Sequence, residues 1–167
     1  MNKLYLTKNG FKNLDKAFED HEEKVKSLLE RLGQACADDP DLPENLESKE
    51  IRAKFQGEIP AEKQRLLGIQ AMAVLVENSD EFINNPNDTV WIGSEVQYCR
   101  QDRPDNKFIL TIMGALESDV DNDVISYEAP IAQAMMGKKA GDTFHLENNR
   151  DLVFEIISVR KILDSNE

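Results

Sequence analysis

The chain has 167 residues, enough for one ordinary domain or two small ones. Its 40% hydrophobic and 31% charged side chains fit a folded protein and argue against general disorder. Thirty-two acidic against 20 basic side chains give a formal net charge of −12, and a chain this acidic is repelled by a bare phosphate backbone, which excludes autonomous duplex-DNA binding as the expected role. Its carboxylates are expected to meet a protein partner or a metal ion instead.

The opening residues, Met1-Asn2-Lys3-Leu4-Tyr5-Leu6-Thr7-Lys8, lack the apolar core of a secretory signal. No stretch approaches the roughly 18 unbroken apolar residues of a membrane span, so a cytoplasmic protein with no membrane association is expected. Cys36 and Cys99 belong to no Cys-x-x-Cys or Cys/His pattern and read as reduced thiols, not zinc ligands.

From Asn13 to about Val76 the apolar positions keep a helical rhythm. In a first arm they run Leu14, Phe18, His21, Val25, Leu28, Leu32 and Ala35; in a second, Phe55, Ile59, Glu62, Leu66, Ile69, Ala73 and Val76. Spacings of alternately four and three residues make this the seam of a two-stranded coiled coil. Between the arms, Ala37-Asp38-Asp39-Pro40-Asp41-Leu42-Pro43-Glu44-Asn45 breaks the pattern with two prolines and a cluster of acids. If the arms fold back antiparallel, pairing Leu14 with Ile69, Phe18 with Leu66, Val25 with Ile59 and Leu28 with Phe55 keeps the paired numbers near a constant sum, which puts the turn at Leu42. The prolines mark the same place. The register also sets His21 opposite Glu62, where they either pair across the seam or both reach out to water. Pro60 removes a helical hydrogen bond, and a kink is expected near Gly57 to Pro60.

After Val76 come Glu77-Asn78-Ser79-Asp80 and Asn84-Asn85-Pro86-Asn87-Asp88, a polar linker. Beyond it the period changes to two: Val90 to Cys99, Phe108 to Met113, Thr143 to Glu147 and Leu152 to Val159 read as strands, with a short helix from Pro130 to Met136 ended by Gly137. The expected fold is therefore α+β. An antiparallel helical hairpin spans residues 1–77 with an acidic tip at 38–45, a linker spans 78–88, and a small antiparallel sheet domain with one helix spans 89–163. Twice as much net negative charge falls on residues 81–167 as on 1–80, eight units against four.

Four carboxylates, Asp38, Asp39, Asp41 and Glu44, crowd the turn. Hard divalent cations such as Mg²⁺ take carboxylate oxygens, commonly one or two per protein, and share their other positions with phosphates and water. Asp41 and Glu44, three residues apart, can be aimed at one point. Taken alone, this spacing is better read as a solvated turn whose acids cap the second helix.

The wider sequence changes the weighting. Asp41-Leu42-x-Glu44-Asn45, with Gly10 and Leu14 upstream and Arg52 downstream, resembles the hairpin of the Gre transcript-cleavage factors. Ile92-Gly93-Ser94-x-Val96, Ile112-Met113-Gly114, Ile125-Ser126-x-x-x-Pro130-Ile131-Ala132, Gly137-Lys138 and Gly141-Asp142 resemble that family's carboxy-terminal domain, so the likeness covers nearly the whole chain. It implies an FKBP-like carboxy-terminal domain that docks on RNA polymerase at its secondary channel, and a coiled coil that carries the tip acids toward the active centre. It implies that Asp41 and Glu44 match the catalytic acidic pair, which helps to hold a second Mg²⁺ shared with the polymerase while backtracked RNA is cut near its 3′ end. Such a factor stimulates the polymerase's own nuclease and is not itself an enzyme. Docking falls by the same resemblance to Glu128, Ala129 and Pro130, in the loop Tyr127-Glu128-Ala129-Pro130. Lys49, Arg52 and Lys54 read as solubilising charge on a helix face, and the resemblance directs them to the nascent RNA or the channel wall. An intramolecular hairpin needs no second copy, so a monomer is expected.

Some positions depart from the family pattern. Pro40 and Pro43 stiffen the tip, Ser48 stands where an aromatic is common, and Ala129 lacks the usual serine hydroxyl. Asp38 and Asp39 add charge, a trait of Gre-like relatives that occupy the channel and inhibit. The alternative function is therefore a non-cleaving channel binder that regulates RNA polymerase. A prolyl isomerase is disfavoured because the sheet domain offers few aromatics to line its pocket.

Overall fold

The computed structural model describes residues 3–38, 46–147 and 149–163. The chain forms two compact units, Lys12–Met72 and, separately, Asn2–Phe11 together with Ala73–Glu167.

The first helix, α1 (Lys8–Asp38), has 31 residues, about 46 Å at 1.5 Å per residue. It starts earlier than the seam rhythm alone indicates because Thr7 caps it. The Thr7 hydroxyl accepts the N–H groups of Asn9 at 3.1 Å and Gly10 at 3.2 Å, two of the donors that a helix start leaves without partners. The second arm is split into α2 (Leu46–Gln56) and α3 (Glu58–Met72). The break falls at Gly57, inside the stretch where the kink was expected. Gly57 N–H donates to Ala53 at 3.1 Å and Ala61 N–H to Gly57 at 3.2 Å, so helical bonding resumes with Pro60, which has no N–H, in the first turn of α3.

The arms of this helical unit pack through buried Leu28, Ile51 and Ile59, with Val25, Leu32 and Phe55 partly buried around them. That cluster contains both the Val25–Ile59 and the Leu28–Phe55 partners expected from the antiparallel register. Ile51 extends the seam by one more step of four residues. His21 is 6% exposed, and its Nδ1 lies 3.5 Å from Glu62 Oε2. The two groups do meet across the seam, but at that separation Nδ1 makes no hydrogen bond. Among the described residues no helix is long and apolar enough to cross a membrane.

The second arm does not stay helical to Val76. Ala73–Leu75 is a strand, β2, which pairs in parallel with β1 (Leu4–Leu6), Leu4 opposite Ala73 and Leu6 opposite Leu75. A 3₁₀ turn over Val76–Asn78 and a short helix α4 (Asp80–Ile83) follow. The expected linker is thus structured at its start: the Ser79 hydroxyl accepts from Phe82 N–H at 3.2 Å, and the Phe82 side chain is fully buried with Val76 and Ile92.

The main sheet has five strands, β3 (Ser94–Arg100), β4 (Arg103–Met113), β5 (Val124–Ser126), β6 (Thr143–Leu146) and β7 (Asn149–Lys161), in the order β5-β4-β3-β7-β6. Four of these overlap the strands expected from the period-two stretches. The fifth, β5, is a three-residue addition that pairs in parallel with β4, so the sheet is antiparallel except at that edge. The helix α5 (Pro130–Met135) contributes Ala132 and Met135 to a core with Val96, Tyr98, Ile112, Phe144 and Ile156. Cys99 is a free, buried thiol; the Cys36 side chain lies outside what is described.

Candidate functional site

The expected docking residues sit on a loop held from several sides. Tyr127 N–H donates to Met113 at 2.9 Å, which fixes the loop's start to the end of β4, and Ala129 N–H donates to the Ser126 carbonyl at 2.9 Å. The Ser126 hydroxyl accepts from Glu128 N–H at 3.1 Å. One turn into α5, the Gln133 amide donates to the Tyr127 carbonyl at 2.7 Å. The Tyr127 ring packs edge-on to Tyr5, and its hydroxyl accepts from Tyr5 N–H at 3.3 Å. Burial pushes the Tyr127 phenol above the ordinary tyrosine range, partly offset by that backbone hydrogen bond.

Glu128 and Pro130 remain exposed on this scaffold, while Ala129 is half-buried. Pro130 opens α5 at its first turn, where a missing N–H costs nothing, and Ala129 takes the cap position without any side-chain cap bond. The serine hydroxyl that the family pattern places at 129 would have supplied one. Beside the loop runs an open groove of about 800 Å³ between α5 and the edge strand β6, lined by Glu128, Pro130, Gln133, Phe144, His145 and Glu147 among others. Among the described residues Phe144 is the one Phe, Tyr or Trp that lines it, a poor match to an isomerase pocket. Sequence reasoning proposed Glu128, Ala129 and Pro130 and did not name Gln133 or the β6 wall, which the structure sets beside them. A glutamine three residues into a helix was the one available signal for the first, and nothing local announces the second.

The helical unit carries the other candidates. Asp41 and Glu44, with Asp39, lie outside the described residues, in the connection between Asp38 at the end of α1 and Leu46 at the start of α2. Lys49, Arg52 and Lys54 are all exposed on α2, whose buried side is marked by Ile51 and Phe55. Lys49 and Arg52, three apart, share a face. Lys54 lies about 200° round the helix from Arg52 and joins the opposite flank, next to Glu58. The three cations therefore do not form one patch. Ser48, at the position where the family favours an aromatic, is buried. Between the arms, Arg31 pairs with Glu47 at 2.8 Å, and Lys24 meets Glu58 at 2.6 Å and Glu62 at 3.0 Å. Among the described residues no group of three His, Cys, Asp or Glu side chains is placed to hold a metal ion.

Comparison with known proteins bears on both units. The family model described as "Transcription elongation factor, GreA/GreB, C-term" matches residues 85–161, the sheet unit from the end of the linker through β7. The transcription elongation factor GreA of Mycoplasma genitalium is 35% identical over 143 residues, covering 85% of this chain and 86% of its own. The GreA of Mycoplasma pneumoniae is 32% identical over 143 residues, with the same coverage. The GreA of Thermosipho africanus is 27% identical over 158 residues, 94% of this chain and 96% of its own. Similarity at this level runs through the helical arms as well as the sheet, and the chain belongs to the GreA/GreB family of transcription elongation factors.

Proposed function

We propose that the protein binds RNA polymerase at its secondary channel through the Glu128-Ala129-Pro130 loop, and that the acids between α1 and α2 stimulate Mg²⁺-dependent cleavage of backtracked RNA. The observation that carries this reading is the antiparallel seam through Val25, Leu28, Ile51, Phe55 and Ile59. It makes the two arms one rod, and the short connection bearing Asp41 and Glu44 joins the ends of those arms. Two carboxylates three residues apart suit Mg²⁺, an ion that takes hard oxygen ligands and leaves most of its positions to a partner and its phosphates. The ion would stabilise the attacking and leaving oxygens of the cleavage step. The protein's own share is to supply Asp41 and Glu44 as ligands, and to hold them on a stiff support that excludes competing geometries.

Docking is assigned to an exposed acid and proline on a loop tied at both ends by backbone and side-chain hydrogen bonds. A loop held to one conformation by its own hydrogen bonds loses little entropy on association. Its chemistry suits a basic or helical surface on the polymerase. Lys49 and Arg52, exposed on one face of α2, are assigned to contact with the nascent RNA 3′ end or the channel wall.

The test is a halted, backtracked elongation complex supplied with Mg²⁺ and the protein. Short 3′ RNA fragments are expected with the wild type and are expected to vanish with Asp41→Ala combined with Glu44→Ala. Inhibited synthesis without any fragments would replace this reading by the non-cleaving channel binder, which the stiffening prolines Pro40 and Pro43 and the extra acids Asp38 and Asp39 would then explain. Pro130→Ala is expected to weaken retention by the polymerase core while leaving the fold intact.

A further inference from the structure

Two buried glutamates face the first turn of α1, and the proposed function uses neither. Glu117 is 7% exposed and Glu77 is 8%. Glu117 comes from the loop that follows β4. Its Oε1 accepts the Thr7 hydroxyl at 2.5 Å, and its Oε2 accepts the N–H groups of Thr7 at 3.3 Å and Gly114 at 3.0 Å. Glu77 comes from the 3₁₀ turn after β2, and its Oε1 accepts Lys8 N–H at 3.1 Å. The Thr7 hydroxyl in turn accepts from Asn9 and Gly10. Every N–H from Thr7 to Gly10 thus ends on one of these carboxylates, directly or through a single hydroxyl.

The surroundings are cut to fit Glu117. A Cβ at Gly10 would stand 2.9 Å from Glu117 Oε2, and one at Gly114 would stand 2.3 Å from the same oxygen and 3.1 Å from Leu6 Cα. Two glycines on different elements therefore leave the space this carboxylate fills. Burying a carboxylate is costly unless it is well hydrogen-bonded, and the positive end of α1 favours negative charge there. Starting a helix needs only a capping hydroxyl, which Thr7 already supplies. A second and third acceptor, from loops far apart in sequence, do more than begin a helix.

We infer that Glu117 is a positioning residue for RNA cleavage: it locks the first turn of α1, the helix whose last residue, Asp38, leads into the connection bearing Asp41 and Glu44. The inference rests on the proposed cleavage function. Glu117 touches neither RNA nor metal and acts through the backbone of residues 7–10. Replacing it with glutamine puts an amide N–H₂ among donors that all need acceptors, while keeping nearly the same volume.

The experiment measures polymerase affinity and the cleavage rate at saturating protein separately, for the full-length wild type and Glu117→Gln, with far-UV circular dichroism as the check on folding. The expected result is unchanged affinity with a saturating cleavage rate lower by a factor on the order of 10 to 100, the scale of loss that a small misplacement of reacting groups produces. A saturating rate equal to wild type overturns the inference. So does a loss of affinity that added protein restores in full, since that is the mark of a merely structural role. If Glu117→Gln does not fold, Thr7→Val removes the hydroxyl that links Glu117 to the helix and is read by the same criteria. A wild type that binds polymerase but never cuts overturns the functional reading, and this inference with it.

Discussion

Lys24 stands between two glutamates of the opposite arm, and its hydrogen bonds to them hold both the Glu58 and the Glu62 carboxyls below the ordinary glutamate range. His21 adds a smaller contribution at Glu62. A carboxyl whose folded pKa is depressed contributes stability above its unfolded value, about 4.3 for glutamate, and loses it as the pH falls through the lower folded value. These groups lie at the surface, so the effect is small and weakened by salt. In an acid titration of the helical circular-dichroism signal, wild type is expected to outlast Lys24→Met as the pH drops toward 4, and the two curves are expected to merge below the folded values. Superimposable curves at low salt would show that the Lys24 pairs contribute nothing. The sequence led to His21 and Glu62 because both occupy seam positions. Lys24 escaped notice because it flanks the seam: a long side chain reaching across from a flanking position leaves no trace in a pattern of apolar residues.

The hairpin was legible as an element because two signals of different origin, seam spacing and turn residues, agreed on it. Its ends were not. The run Ala73-Val74-Leu75 satisfies a helical and an extended period equally well over three residues, and what decides for a strand is Leu4–Leu6, some 70 positions away in the chain. β5 was missed for a similar reason: three residues, Val124–Ser126, gain their conformation from the edge of β4. On β4 itself the pairing with β3 jumps from Cys99–Lys107 to Arg100–Arg103, which leaves Pro104, Asp105 and Asn106 bulged out. A proline, an acid and a bulge beyond the stretch that β5 covers are devices that discourage pairing with other chains. The break in the second arm at Gly57 can be tested directly. Gly57 has no positive φ, and a Cβ added there would meet only Ala53 O, at the ordinary distance of 3.6 Å. The helical bonds on either side are already made, so Pro60 and not Gly57 is the cause of the break. Gly57→Ala is expected to raise the urea midpoint of the helical signal, by a free energy of about 0.5–1 kcal/mol. A lower midpoint would assign the break to glycine's freedom instead.

For the whole molecule, the division of the chain is not the division of the sequence. Residues ahead of the hairpin belong with the sheet that follows it: Leu6 is fully buried, Tyr5 packs with the Val76–Phe82–Ile92 cluster, and Thr7 and Lys8 bond to Glu117 and Glu77. A reading that proceeds along the chain assigns such a short amino-terminal stretch to whatever comes next, since three apolar residues carry no period long enough to classify. The candidate docking loop came from the family resemblance, while Pro130 by itself announced only the start of α5; the groove beside the loop was not legible, because β6 reaches α5 only through the strand order β3-β7-β6. The interleaving has a measurable consequence. Trp91, the single tryptophan, packs on the same cluster as Tyr5 in the sheet unit, while the far-UV signal comes mainly from the helical arms. Leu6→Ala opens a cavity in the sheet unit, at a cost of about 2–5 kcal/mol. The urea midpoint followed by Trp91 fluorescence is therefore expected to fall well below wild type, and the midpoint at 222 nm to move less. Equal shifts in both signals would mean that the two units unfold as one cooperative body, and that the amino-terminal strand supports the hairpin as fully as it supports the sheet.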